Sequence, residues 1–342
     1  MTATNGQGAF VQVDRTLIGW DETLNFVSST GEIVSWGGSQ NREVWAIPAA
    51  NGFVLTRYDS GASATDETLT RVWYDSSGGQ TSSPVVMHSP LFEIGLAMRP
   101  DGHELASLVS TEEPSEGLAL RLFDSAGSLE PPGSIPLPDS AGLLGEVMVV
   151  FDAMGDVLVA RREVQRGQEC LNGDFTPESW AWWWIGQDHR ASARLDLFGS
   201  RLGDAQVKPT SLLPLVDGRI AVAVQDRSCM EDGEWSWTVS RTAGVRPAPC
   251  WLAKRPASSV QWIRSGRGYL VTERYGYGSR MEILASTGEV CGTLRDVCPA
   301  CETAWTVPVS VGLDGTISYR ADPNFELDAG TCGIDWQPGA LR

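Results

Sequence analysis

Long apolar stretches are missing from this 342-residue sequence. No run approaches the roughly 18 consecutive apolar residues that would cross a membrane as a helix, so we predict no membrane span. The segment that follows Met1, Thr2 to Gly8, is polar and has no apolar signal core. One interpretation is a cytosolic protein. We favour a mature exported chain, secreted, periplasmic or on the outer cell surface, whose export signal is not part of this sequence.

Basic residues are scarce: 26 lysines and arginines stand against 43 acidic residues, for a net charge of −17. Sequence-independent binding to a phosphate backbone needs a basic surface, so we expect no nucleic-acid partner. Catalytic signatures are also few. The three histidines, His88, His103 and His189, form no recognisable metal set or nucleophile–base pair, and no P-loop, dinucleotide fingerprint or EF-hand loop is present. We predict no cofactor, no resident metal and no assignable catalytic residue.

Cysteine is absent before residue 170, and all seven cysteines lie between residues 170 and 332. This clustering favours local disulfides and an oxidising compartment, although an odd count leaves one thiol over. We expect Cys298 or Cys301 to bridge to Cys332, and Cys170 to Cys229. Two alternatives stay open: a four-thiolate zinc site that adds Cys291 to Cys298, Cys301 and Cys332, and a redox site at the Cys298–Cys301 pair.

Short turns that end in glycine are abundant, and they fall into two interleaved series. The first series follows apolar strands at intervals of 44 to 62 residues, ending at Gly31, Gly78, Gly127, Gly244, Gly288 and Gly339, with a degenerate copy at 187–189. The second series lies between them, at Gly52, Gly102, Gly155, Gly218, Gly266 and Gly315. Asn-Gly and Asp-Gly between alternating apolar runs are strong hairpin signals.

Two hairpins in each repeat of about 50 residues give four antiparallel strands, which is the unit of a β-propeller. The sequence therefore predicts an all-β, seven-bladed propeller over residues 8–342, with 1–7 as a flexible segment and 162–178 as the longest insertion. The first turn of this pattern, at Asp14-Arg15, lacks the glycine and has the weakest signal. A β-sandwich is the alternative, but it would not need seven regular units.

One hairpin resembles a known repeat. The stretch 98–106, Met-Arg-Pro-Asp-Gly-His-Glu-Leu-Ala, resembles the "SPDG" hairpin of TolB-like and YVTN-type bacterial propellers, and 122–127 resembles the second half of such a blade. The resemblance implies the fold, and it implies that ligands bind at the face opposite these turns or in the central channel. It implies little about activity, because the fold hosts many functions.

The loops between second and third strands are long and acidic. We name their side of the molecule the long-loop face (58–69, 110–117, 162–178, 225–234, 273–280 and 321–331) and the side of the two turn series the hairpin-turn face. These loops hold 18 acidic and five basic residues, so they carry most of the net charge. One sign of charge on one face can steer a cationic partner, although acidic loops also serve solubility. We expect the binding residues to be Glu112, Glu113, Glu116, Asp174, Glu178, Asp226, Glu231, Asp232, Asp322, Glu326 and Asp328.

Tryptophans recur in matching strands. Trp180, Trp182 and Trp184 project to one side of a strand and Trp183 to the other, and 235–237 repeats the spacing. An exposed row would suit sugar rings, but packing between sheets is the interpretation we favour.

The main functional expectation is a non-enzymatic binding or scaffold protein that meets a protein partner through the long-loop face. The alternatives are a hydrolase or lyase acting on a sugar or lactone in the channel, and a lectin that uses exposed tryptophan.

Overall fold

In this computed structural model the strands form antiparallel sheets, and the described residues contain no helix. Accordingly, none of the described segments could cross a membrane as a helix. The structure describes residues 3–5, 8–14, 22–28, 33–36, 42–59, 68–88, 91–111, 117–141, 146–163, 179–198, 207–226, 234–253, 255, 260–263, 268–275, 278–295, 307–311, 317–321 and 333–337.

The first four sheets contain fifteen of the described strands. These are β1 (Ala3–Asn5), β2 (Gly8–Asp14), β3 (Glu22–Ser28), β4 (Ile33–Trp36), β5 (Arg42–Ala49), β6 (Gly52–Asp59), β7 (Thr68–Asp75), β8 (Val85–His88), β9 (Leu91–Met98), β10 (Glu104–Thr111), β11 (Leu118–Asp124), β12 (Ile135–Pro136), β13 (Val147–Phe151), β14 (Val157–Glu163) and β15 (Ser179–Ile185).

The remaining three sheets follow in the same way. Their strands are β16 (Val207–Pro214), β17 (Ile220–Asp226), β18 (Glu234–Ser240), β19 (Gly244–Pro247), β20 (Val260–Ile263), β21 (Gly268–Tyr275), β22 (Gly278–Ala285), β23 (Val290–Arg295), β24 (Val307–Val311), β25 (Ile317–Ala321) and β26 (Gly333–Gln337).

Each sheet is built from consecutive strands, paired in sequence order and antiparallel throughout. Among the described residues, five sheets have four strands, while the fourth (β13–β15) and the last (β24–β26) have three. In the fourth sheet, isolated bridges from Ile185 to Ala191 and from Trp182 to Leu195 continue the pairing beyond β15. The expectation of an all-β chain of four-stranded antiparallel units is thus confirmed for five sheets, and the longest second-to-third connection is 164–178, as predicted.

The first hairpin was placed wrongly by the sequence pattern. Residues 10–13 belong to the second strand, β2, and β1 pairs with it so that Asn5 lies opposite Gly8. The first hairpin therefore lies before Gly8, and the reversal after Asp14 connects the second and third strands, so residues 3–5 belong to the first sheet although we expected 1–7 to lie outside it. The signal was present as Asn5-Gly6. It was missed because β1 has only three residues and no apolar alternation.

Aspartates stabilise two turns of the first series, the turns after β7 and β11. The side-chain Oδ1 of Asp75 accepts hydrogen bonds from the backbone N–H groups of Ser77 and Gly79, at 2.9 and 2.8 Å. The Oδ1 of Asp124 repeats this with Ala126 and Ser128, at 2.9 and 2.7 Å. An aspartate at the strand end satisfies the turn's backbone donors, which fixes where each strand stops.

The core lies between neighbouring sheets and not within one central cluster. Alternate residues of β14 serve two interfaces: Val157 and Val159 pack with the third sheet, while Leu158 and Ala160 pack with the fifth. Both sides of the strand are buried, which is why it reads as a continuous apolar run. The second to sixth sheets are therefore stacked face to face.

First strands of successive sheets also contact one another. β13 touches β9 and β16, β16 touches β20, and β1 touches both β5 of the second sheet and β24 of the last. At these five junctions the first strands of neighbouring sheets lie next to one another.

Candidate functional site

The long loops connect the second and third strands of their sheets at one end of those strands. Asp59 lies opposite Thr68, and Glu163 lies opposite Ser179, so these loops begin where the second and third strands end together. The turns of both series lie at the other end of the same strands. Of the expected binding residues, only the backbone of Asp226, the last residue of β17, is described. The others lie outside the described residues: Glu112, Glu113, Glu116, Asp174, Glu178, Glu231, Asp232, Asp322, Glu326 and Asp328.

Two cysteines are described, Cys250 and Cys291, and both are exposed free thiols. The disulfide candidates lie outside the described residues: Cys170, Cys229, Cys298, Cys301 and Cys332.

The tryptophans of β15 are buried on both sides of the strand. Trp182 and Trp184 pack against the fifth sheet, and Trp183 packs against the third, where its Nε1–H donates to the carbonyl oxygen of Pro138 at 2.8 Å. Trp235 is buried in the next interface. The packing interpretation is confirmed for these rings. A lectin surface made from them is excluded, because no face is left for a sugar to stack on.

The hairpin-turn face is continuous, because turns of neighbouring sheets bond to one another. The backbone N–H of Ala50 donates to the carbonyl of Gly102 at 3.0 Å, which joins the second and third sheets. Between the fourth and fifth sheets, the Nη1–H of Arg241 donates to the Oδ2 of Asp156 at 3.3 Å. Between the fifth and sixth sheets, the N–H of Val216 donates to the hydroxyl of Tyr269 at 3.2 Å.

Three potential ligands converge on this face. Glu104 opens β10, Glu130 follows β11, and His189 lies in the turn after β15, so two sheets contribute to one group. Each offers one ligand atom, and these atoms lie within 4.8 Å of one another. The Nε2 of His189 is 3.4 Å from the Oε2 of Glu130. All three side chains are partly buried.

The backbone sets the orientation of the imidazole. The Nδ1 of His189 lies 2.7 Å from the carbonyl oxygen of Pro131. A carbonyl only accepts, so Nδ1 carries the proton and Nε2 is directed at the carboxylates. His189 adopts φ = 56°, a left-handed conformation that is uncommon for residues other than glycine.

The surroundings of Glu104 raise the pKa of its carboxyl group. Burial raises its pKa, the nearby Glu130 carboxylate raises it further, and Arg99 partly opposes both effects. The Nη1 of Arg99 lies 3.3 Å from Glu104, and its Nε lies 3.2 Å from Asp101.

Sequence reasoning placed His103 and His189 at hairpin turns on this face, but it did not find this group. Its members are separated by 26 and 59 positions and meet only when the third and fourth sheets pack. The available signal was that Glu104 and His189 occupy turns of neighbouring repeats, but neither spacing resembles a metal motif.

No family model and no curated protein matches the chain. Solved structures do resemble it. The alignment with a structure of prolyl endopeptidases covers 100% of this chain and 47% of the endopeptidase chain, at 11% identity and a TM-score of 0.57. The alignment with the BP39L lectin from Burkholderia pseudomallei covers 100% of this chain and 96% of the lectin chain, at 13% identity and a TM-score of 0.50.

TolB from Acinetobacter baumannii aligns over 83% of this chain and 62% of its own, at 12% identity and a TM-score of 0.44. The chain thus spans less than two thirds of TolB and about half of the endopeptidase. At these identities the likeness concerns the fold, which is consistent with a β-propeller.

Proposed function

We propose that this chain is a single seven-bladed β-propeller that works as a non-enzymatic binding protein outside the cytoplasm. Its partner is a protein with a cationic surface, and the long-loop face is where the two meet.

The proposed ring is supported by the order of the sheets. Seven sheets follow one another along the chain, and apolar interfaces join the second to sixth of them. Contact of β1 with β24 brings the first sheet to the last, as a closed ring requires. The like-sized BP39L lectin, aligned along nearly its whole length, supports the same architecture.

The binding role rests on one observation: most of the net charge of −17 lies in loops that leave one edge of the sheets. Tight turns vary little without loss of register, whereas long loops on a rigid scaffold can carry contacts. A face of one sign raises the rate at which an oppositely charged partner arrives.

The proposed compartment rests on the cysteines. All seven lie in the part of the chain that carries the fourth to last sheets, and five remain available for disulfides once Cys250 and Cys291 are set aside.

The test is surface plasmon resonance with two probes, an immobilised deca-arginine peptide and an oligosaccharide array. Binding to the peptide should weaken at least tenfold between about 0.01 and about 0.15 M NaCl, because the screening length falls from about 30 to about 8 Å. The variant Glu112→Gln/Glu113→Gln/Glu116→Gln should associate more slowly, with little change in dissociation.

A matched variant removes the same charge from exposed acids of the hairpin-turn face: Asp101→Asn, Asp188→Asn and Glu289→Gln. It should bind the peptide as the parent does. Equal slowing in both variants would show that only the overall charge matters. Salt-insensitive binding to an oligosaccharide would instead favour the lectin alternative.

A further inference from the structure

We propose that Glu104, Glu130 and His189 form a binding site for one divalent transition-metal ion, with Zn²⁺ the best match, that ties the third and fourth sheets together. This goes beyond the proposed function, because the site lies on the hairpin-turn face.

The donor set selects the class of ion. One imidazole nitrogen with two carboxylates suits Zn²⁺ and its neighbours in the transition series, whereas Mg²⁺ and Ca²⁺ prefer oxygen ligands alone. Two ligands of a tetrahedral ion, each about 2.0–2.1 Å from it, lie about 3.4 Å apart. The distance between His189 Nε2 and Glu130 Oε2 is 3.4 Å.

The hydrogen bond from His189 Nδ1 to Pro131 is the second argument. A histidine that binds a metal typically donates its other ring N–H to a carbonyl or carboxylate, which fixes the tautomer and turns the free lone pair to the ion. Here that outer contact comes from Pro131, at 2.7 Å and outside the ligand group. With Nδ1 held by Pro131, the other ring nitrogen, Nε2, is directed at Glu130, as it would be if both groups bound one ion.

Charge balance points the same way. The ligand group brings two carboxylates together, Glu104 and Glu130, and the guanidinium beside them, Arg99, is shared between Glu104 and Asp101. A divalent ion carries the charge that balances two carboxylates. It also relieves the repulsion between Glu104 and Glu130, which lie in different hairpins of the third sheet.

The alternative is an ion pair, with a doubly protonated His189 bound to Glu130 and no affinity for metal. The two interpretations differ in what they predict for Zn²⁺ alone, and the cysteines must be kept out of the measurement. The whole chain is therefore stripped with EDTA, alkylated with iodoacetamide and titrated with ZnCl₂ by calorimetry.

The parent chain should bind one Zn²⁺. His189→Asn should weaken binding at least tenfold, and asparagine is chosen because it tolerates the left-handed backbone at this position. His103→Ala is the matched control: it removes an exposed histidine from a neighbouring turn and should leave the affinity unchanged.

Thermal unfolding supplies a second readout. Saturating Zn²⁺ should raise the Tm of the parent and of His103→Ala by at least about 2 °C, since the ion binds only the folded state. It should leave that of His189→Asn unchanged, while the metal-free Tm values show that each variant folds. Absence of saturable binding, or equal affinity in His189→Asn, would overturn the proposal.

Discussion

At the scale of single residues, the interior contains one described ion pair between two sheets. Arg71 of β7 is fully buried, and its Nη2 lies 2.5 Å from the Oε2 of Glu93 on β9. Ser107 also donates to Glu93, and Thr56 accepts from the Nε of Arg71 at 3.3 Å. Because a buried charge is tolerated only when it is paired, this group fixes how the second and third sheets align.

Glu93→Gln should therefore destabilise the chain by about 3–5 kcal/mol, since it leaves a buried guanidinium without a counter-charge. The free energy of unfolding in urea measures this loss. Asp217→Asn is the comparison, because it breaks an ion pair with Arg219 that is partly exposed to solvent and should cost no more than about 1 kcal/mol. Similar losses in the two variants would contradict the role assigned to burial.

Tyr269 gives a prediction in alkaline solution. Burial raises its pKa from 10.0 to about 12. Between these values the unfolded chain has lost the phenolic proton and the folded chain has kept it, so stability should fall as pH rises through this window. The slope is at most about 1.4 kcal/mol per pH unit, and stability from this residue is fully present below pH 10.

Tyr269→Phe should lack that component of the slope. It should also be less stable at neutral pH by about 1–3 kcal/mol, because the N–H of Val216 loses its acceptor. Urea unfolding at a series of pH values above 9 measures both effects. A slope identical to that of the parent would show that another group titrates there.

At the scale of elements, the turns differ in how closely they are packed. Gly288, between β22 and β23, has φ = 84°, and a Cβ built on it would lie 2.1 Å from Cγ of Trp251. Trp251 in turn packs on Tyr269, with ring centroids 4.8 Å apart. Gly244 has φ = 64° at the equivalent turn of the fifth sheet, with nothing within 4 Å of a built Cβ.

Gly244→Ala should therefore cost only the left-handed backbone penalty, about 1–2 kcal/mol. Gly288→Ala should cost that penalty and a further 1–3 kcal/mol, roughly, because an aromatic ring must move. Thermal unfolding of the pair measures the difference. Equal costs would mean that the ring of Trp251 yields freely.

The elements also show what the sequence could and could not reveal. Apolar alternation and Asp- or Asn-Gly turns depend on neighbouring residues, so they located the strands of the second to sixth sheets and the longest loop. The strand β1 was missed because three polar or small residues carry no such pattern. The group of Glu104, Glu130 and His189 depends on how two sheets stack, which no local pattern records.

At the scale of the whole molecule, β1 is the element that brings the first sheet to the last, through its contacts with β24 and β25. A variant without residues 1–7 tests whether this contact closes the molecule. If it does, a loss of about 2 kcal/mol or more should lower Tm by roughly 4 °C. An unchanged Tm would show that β1 is an appendage of the first sheet.

The order of strands has a consequence for how the chain is made. Pairing within each sheet joins neighbouring segments, so a sheet can form as soon as its residues leave the ribosome. The contact between β1 and β24 is different, because it joins segments some 300 residues apart and must await nearly the whole chain. Until then β1 lacks its contact with the last sheet. Completion of the molecule during synthesis should therefore be limited by the time that passes before the last sheet emerges.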